Sequence, residues 1–92
     1  LFDLARETGT CLEIDGAPSH LDLDAALARR AVQAGVRLTI DSDCHRASAL
    51  GRQMQLGVVT ARRGWVDAAR VLNTSPVAEV QAFVAAKRNG RP

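Results

Sequence analysis

The stretch Asp41-Ser42-Asp43-Cys44-His45 sets two carboxylates, a thiol and an imidazole directly after the apolar run Val36-Arg37-Leu38-Thr39-Ile40. Asp43 and His45 are two residues apart, so in extended backbone both side chains leave the same face. They would give a strand end one oxygen and one nitrogen ligand for a divalent metal ion. The alternative is an Asp that caps a loop beside a surface His. Two ligands do not complete a metal site. Asp41 shares their parity, and it either orients the His45 ring or satisfies amides of its own loop. Cys44 faces the other way, where a small buried thiol is the simpler role.

A further carboxylate, Glu13, lies in Cys11-Leu12-Glu13-Ile14-Asp15 with parity opposite to Leu12 and Ile14. If its strand neighbours residues 36–40, Glu13 reaches the same mouth, in a supporting rather than a ligating role. Arg62 and Arg63 flank what reads as a strand-to-helix turn before Gly64. Their planar forks suit phosphate and so a DNA backbone, while the plainer role is holding that turn. His20 sits in a turn with no partner near it in sequence and reads as a surface histidine.

These groups need a scaffold, and 92 residues allow one small domain at most. A chain of this size buries only about 60–65% of its unfolded surface, near the lower margin for independent folding. A 47% apolar and 24% charged composition is that of a globular chain and not of a disordered one. The chain opens on Leu1, and Leu1-Phe2-Asp3-Leu4-Ala5 already has a mid-helix pattern, so the expectation is a piece of a longer polypeptide. A net charge of +2 tolerates nucleic acid as a partner without arguing for it. No apolar run approaches the ~18 residues of a membrane span, and no leader pattern is present. Cys11 and Cys44 follow no metal-ribbon spacing and read as free thiols in a reducing cytoplasm. With Phe2, Phe83 and Trp65 as the aromatics and no Tyr, the chain is not expected to offer a base-stacking platform.

Local patterns give the order of elements. Residues 1–7 read as a helix stopped at Gly9, and residues 11–15 as a short strand. Asp22 to Ala34 forms the clearest helix, with Asp22 as cap, a stripe of Leu23, Ala26, Leu27, Ala31 and Ala34, and Gly35 as its end. The strand of Val36, Leu38 and Ile40 follows. A short helix is expected over 47–53, a third strand over 55–59 and a helix over 64–72. Ser75 and Pro76 then open a last helix, with Glu79 near its N-terminus and Val77, Val80 and Val84 on its buried side. Trp65 is assigned to the core. Strands alternating with helices imply an α/β fold of parallel βα units, whose chemistry gathers at the carboxyl ends of the strands.

Several elements occur together in a characteristic order: Leu12-Glu13-Ile14, Leu21-Asp22-Leu23, Ala34-Gly35-Val36, Asp43-Cys44-His45, then residues 57–65 (Gly-Val-Val-Thr-Ala-Arg-Arg-Gly-Trp) and Val71-Leu72-Asn73-Thr74. In this order the chain resembles the C-terminal part of the PHP (polymerase and histidinol phosphatase) domain of bacterial family X DNA polymerases. The resemblance covers residues 1–88 and leaves 89–92 as a polar tail. It implies a distorted β/α barrel whose strand ends hold divalent metal ions, manganese or zinc. It also implies phosphate-ester hydrolysis, as 3′-to-5′ exonuclease or other DNA end processing in repair. The last ligand pair of that family falls on Asp43 and His45. The family's earlier ligands, including its opening His-x-His motif, have no counterpart in this chain, and neither does the polymerase domain. Asp15-Gly16 stands where the family commonly has Asn-Ala, and Cys44 where it usually has Ala. The implied partners are DNA, the remainder of the PHP domain and a polymerase domain upstream. The competing readings are a catalytically silent PHP module that binds DNA or serves structure, and a histidinol-phosphatase-like small-molecule phosphatase.

Overall fold

The computed structural model describes residues 1–17 and 22–90. Its organising unit is a pair of parallel strands, β1 (Leu12–Asp15) and β2 (Leu38–Asp41), aligned Leu12 to Leu38, Glu13 to Thr39, Ile14 to Ile40 and Asp15 to Asp41. Alternation along each strand then separates two faces. Ile14, Leu38 and Ile40 are buried on one, while Glu13, Asp15 and Asp41 share the other. Both edges of the pair are engaged. On the β1 side the Asp15 amide donates to the Asp22 carbonyl at 2.6 Å, and the Leu23 amide to the Glu13 carbonyl at 3.1 Å. On the β2 side Leu38 bridges Val71. The Asn73 amide there acts as a surrogate strand, accepting from the Ile40 N–H at 3.1 Å and donating to the Ile40 carbonyl at 2.7 Å.

Helix α1 (Phe2–Thr8) ends where Gly9 turns left-handed, φ 66°, and the Gly9 and Thr10 amides fold back onto the Arg6 and Ala5 carbonyls. Helix α2 (Ala25–Gln33) begins later than its apolar pattern suggested. Its cap is Asp24, whose carboxylate accepts from the Leu27 amide at 2.8 Å, because Asp22 is committed to the edge of β1. Ala28 and Ala31 are the residues it buries, with Ala26 exposed. The small side chains let the helix lie close on the sheet.

The largest departure follows β2. After a short 3-10 turn at Ala47–Ala49, residues 50–63 form one helix, α3 (Leu50–Arg63), in place of the expected short helix and third strand. Met54, Gly57, Val58 and Ala61 recur at helical spacing, and all four face inward. The helix expected over 64–72 is absent. Two 3-10 turns, Ala68–Arg70 and Leu72–Thr74, carry that segment instead. Helix α4 (Val77–Arg88) starts behind Pro76 without a side-chain cap, since the Ser75 hydroxyl accepts from Arg37 Nη2 at 3.1 Å. Glu79 lies in its first turn as expected, yet none of its residues is buried, and Val77 is 72% exposed. It is tied to the rest by Lys87, whose ammonium reaches the Thr8 carbonyl at 2.9 Å and the Thr10 hydroxyl, and by half-buried Phe83, whose ring lies 6.0 Å from the Arg37 guanidinium.

The core lies between the apolar face of the sheet and helices α1, α2 and α3, around Ile14, Leu38 and Val36 as the largest fully buried side chains. Each of these contributes about 1.5–3 kcal/mol relative to exposure. Trp65 is outside this core and 74% exposed. It closes α3 in a left-handed conformation, φ 57°, while its own amide and that of Val66 donate to the Arg62 and Ala61 carbonyls. A bulky L-residue there costs about 1–2 kcal/mol. No helix among the described residues is long and apolar enough to cross a membrane.

Candidate functional site

In-register pairing of two strands that end in aspartate brings their carboxylates together. Glu13, Asp15 and Asp41 each place an oxygen within 4.8 Å of the others, Glu13 exposed and the two aspartates half-buried. The Glu13 carboxyl is raised from 4.5 to about 7, first by its hydrogen bond with Asp41, then by partial burial and by the charges of Asp41, Asp15 and Asp43. Three convergent carboxylates cannot all ionise without repulsion, so Glu13 keeps its proton up to about pH 7. A divalent cation would remove that penalty. The donor set fits one: carboxylate oxygens are hard ligands of the kind that manganese and magnesium take.

The two strand ends behave differently beyond this point. After β1, the Gly16 amide donates to the Asp41 carbonyl at 2.8 Å, and Asp15 Oδ1 accepts from the Ala17 amide at 2.8 Å. Gly16 passes so close beneath α3 that a Cβ built on it would stand 1.9 Å from the Gln53 carbonyl oxygen. After β2, Gln53 Nε2 donates to the Ser42 carbonyl at 2.7 Å and the Ser42 hydroxyl accepts from the Cys44 amide at 3.3 Å. Residues 43–49 then turn toward solvent.

Asp43 is left-handed, φ 47°, so the extended backbone that would align it with His45 ends at Asp41. Aspartate tolerates this conformation better than most residues. Asp43 and His45 are both exposed, and Asp43 is near enough for its charge to act on Glu13, but neither joins the cluster of Glu13, Asp15 and Asp41. His45 Nδ1 lies 3.1 Å from the Asp43 carbonyl oxygen. A carbonyl only accepts, so a hydrogen bond here has Nδ1–H as its donor. Asp41, read from sequence as orienting His45 or satisfying its own loop, has its side chain hydrogen-bonded with Glu13.

The sequence reading places Asp15 at the end of a short strand and gives it no part in the site, so its place in the cluster is a finding of the structure. The signal was present: Leu12-Glu13-Ile14-Asp15 and Leu38-Thr39-Ile40-Asp41 share the pattern Leu-x-Ile-Asp, and aligning the strands by it pairs the two aspartates. Arg62 and Arg63 occupy the last turn of α3 and are exposed, not part of a strand-to-helix turn. They lie about 8 Å along the helix axis beyond Gly57, which rests against the Asp41 carbonyl. Cys11 and Cys44 are free and half-buried, and burial pushes the Cys11 thiol up against the opposing effect of Arg37. His20 lies outside the described residues.

No family model matches the chain. It is 40% identical over 89 residues to the DNA polymerase/3′-5′ exonuclease PolX of Bacillus subtilis (strain 168). Over nearly all of its length the chain is similar to a region of PolX. The alignment takes in 97% of this chain and 15% of the relative, so the chain spans about one seventh of the protein it matches. The likeness covers both strand ends and the loop that carries Asp43 and His45.

Proposed function

We propose that the chain is part of a PHP-type metal-dependent phosphoesterase domain acting on DNA 3′ ends, in a longer repair protein that also carries a polymerase domain. The observation that carries this reading is the 40% identity to PolX along 97% of the chain. The carboxylate mouth at the ends of β1 and β2 supports it. Asp43 as an ionised oxygen ligand and His45 as a neutral nitrogen ligand would hold one side of a manganese or zinc centre, with Glu13, Asp15 and Asp41 behind them. Divalent ions, when bound, supply Lewis acidity toward the phosphate ester and an acidified water. The chain's own residues fix the ligand loop through Gln53 and Ser42 and gather negative charge where the cation neutralises it. Arg62 and Arg63 extend the site toward the DNA backbone. A cytoplasmic setting accords with the two free thiols.

The test is His45→Ala and Asp43→Ala in the complete protein, assayed for manganese-dependent 3′-to-5′ hydrolysis of DNA. Loss of hydrolysis with unchanged melting is expected, and retained hydrolysis would remove the ligand assignment. The isolated 92 residues are expected to be inactive, because a clustered metal site needs ligands from elsewhere. Manganese-dependent nuclease activity from them, abolished by Asp43→Ala, would overturn that part.

A further inference from the structure

Trp65 is a large apolar side chain that the fold displays on its surface. It is 74% exposed and held in a left-handed turn, with Gly64 before it packed so tightly on α2 that an added Cβ would meet the Ala25 carbonyl at 2.6 Å. The Arg29 guanidinium lies 4.4 Å from the indole centroid, which fixes the ring and leaves its other side to solvent. Between residues 62 and 70, Arg62, Arg63 and Arg70 stand against one carboxylate, Asp67, and all four are exposed. Arginines in a last helical turn also offset the helix dipole, but that role leaves the exposed indole unexplained. The patch is tied to the carboxylate mouth: α2, on which Gly64 rests, is entered from Asp22 and Leu23, which are bonded to Asp15 and Glu13 of β1.

We infer that the Trp65 face with Arg29, Arg62 and Arg63 is a docking surface for single-stranded nucleic acid. One base stacks on the open side of the indole and neighbouring phosphates meet the guanidinium groups. The choice of occupant follows from the chemistry present, a stacking ring inside a cationic rim, since bases offer π-faces and the backbone offers negative charge. The inference rests on reading the chain as part of a DNA-processing protein and adds, beside the arginines already read as meeting the DNA backbone, a base-stacking contact on Trp65.

Trp65 is the sole tryptophan and the chain has no tyrosine, so intrinsic emission reports on this one ring. A short oligodeoxythymidylate, titrated into the 92-residue chain at low salt with EDTA present, is expected to quench that emission saturably. An abasic strand of equal length should leave it largely unquenched and bind about tenfold more weakly. Anisotropy of a labelled oligonucleotide should show Trp65→Leu and Arg29→Gln weakening binding about five- to hundredfold, while Arg62→Gln lowers the salt slope by about one. Far-UV circular dichroism identifies folded samples, and Arg29→Gln keeps the test decisive if Trp65→Leu unfolds. Absence of quenching in a folded chain, or equal quenching by the abasic strand, would overturn the inference. So would an emission shift on concentrating the chain alone, which would assign the face to a second copy. Because EDTA removes any contribution from metal, this binding and the metal-dependent hydrolysis can fail independently.

Discussion

The ends of β1 and β2 start from the same four-residue pattern and part immediately afterward. Beyond Asp15 the chain goes under α3, where Gly16 and Ala17 are buried and there is no room for a side chain at Gly16. Beyond Asp41 only Ser42 is buried, and Asp43 and His45 emerge into solvent. One end is a wall and the other a presented loop. Matching strand ends therefore lead into unlike segments: Glu13, Asp15 and Asp41 are placed by the sheet, whereas Asp43 and His45 follow a loop held by Gln53 at Ser42 and by the contact of His45 Nδ1 with the Asp43 carbonyl.

That contrast can be broken from either side. The largest effect should come from the loop: His45→Ala in the complete protein abolishes DNA hydrolysis, while its melting shifts by no more than the equivalent of about 0.5 kcal/mol. On the wall the balance is reversed. Gly16→Ala forces α3 away from the strand ends and should cost about 3 kcal/mol or more, lowering the melting temperature of the chain by ~12 °C or more. A melting curve like the parent's would mean that α3 does not press on β1. Next is Gln53→Ala, which removes the bond to the Ser42 carbonyl. Its expected cost is about 1 kcal/mol in urea unfolding, with weaker manganese binding, because the loop loses its tie to α3.

The smallest effect sharpens the electrostatics of the sheet. Glu13 titrates near 7 in the folded chain against an ordinary 4.5, so between these values the folded state keeps a proton that the unfolded state releases. Its contribution in metal-free solution is full below pH 4.5 and is lost as pH rises through about 7. Urea midpoints measured in EDTA from pH 4.5 to 8 should fall across that window in the parent and be flatter in Glu13→Gln. Equal slopes would remove Glu13 from the cluster.

Legibility from sequence followed how local the determinants were. α1, β1, β2 and the parallel α/β plan were readable because Gly9, the alternation at residues 12–15 and 38–41, and the run from Ala25 to Gly35 are local signals. α3 was misread because Leu56, Val58 and Val59 favour a strand, while the inward spacing of Met54, Gly57, Val58 and Ala61 satisfies a helix. Tertiary packing decided between them. Trp65 and the valines of α4 looked like core from their side chains alone. Their exposure depends on what packs nearby, which no local pattern encodes. Parity located Glu13 opposite Ile14, but it failed for Asp43 and His45 because the strand stopped two residues before the first of them. The polymerase-linked resemblance drew attention to the same loop and found its counterpart in the PolX alignment.

Helix α4 carries a consequence for the chain's internal dynamics. None of its twelve residues is fully buried, and its apolar contact is confined to half-buried Val80, Phe83 and Ala86. Its amide protons should exchange with solvent through local opening, at a free-energy cost well below that of the strands. The amides of Ile14 and Ile40 should exchange only through global unfolding. Hydrogen exchange should therefore separate the described residues into a slow-exchanging block around the sheet and a faster-exchanging α4.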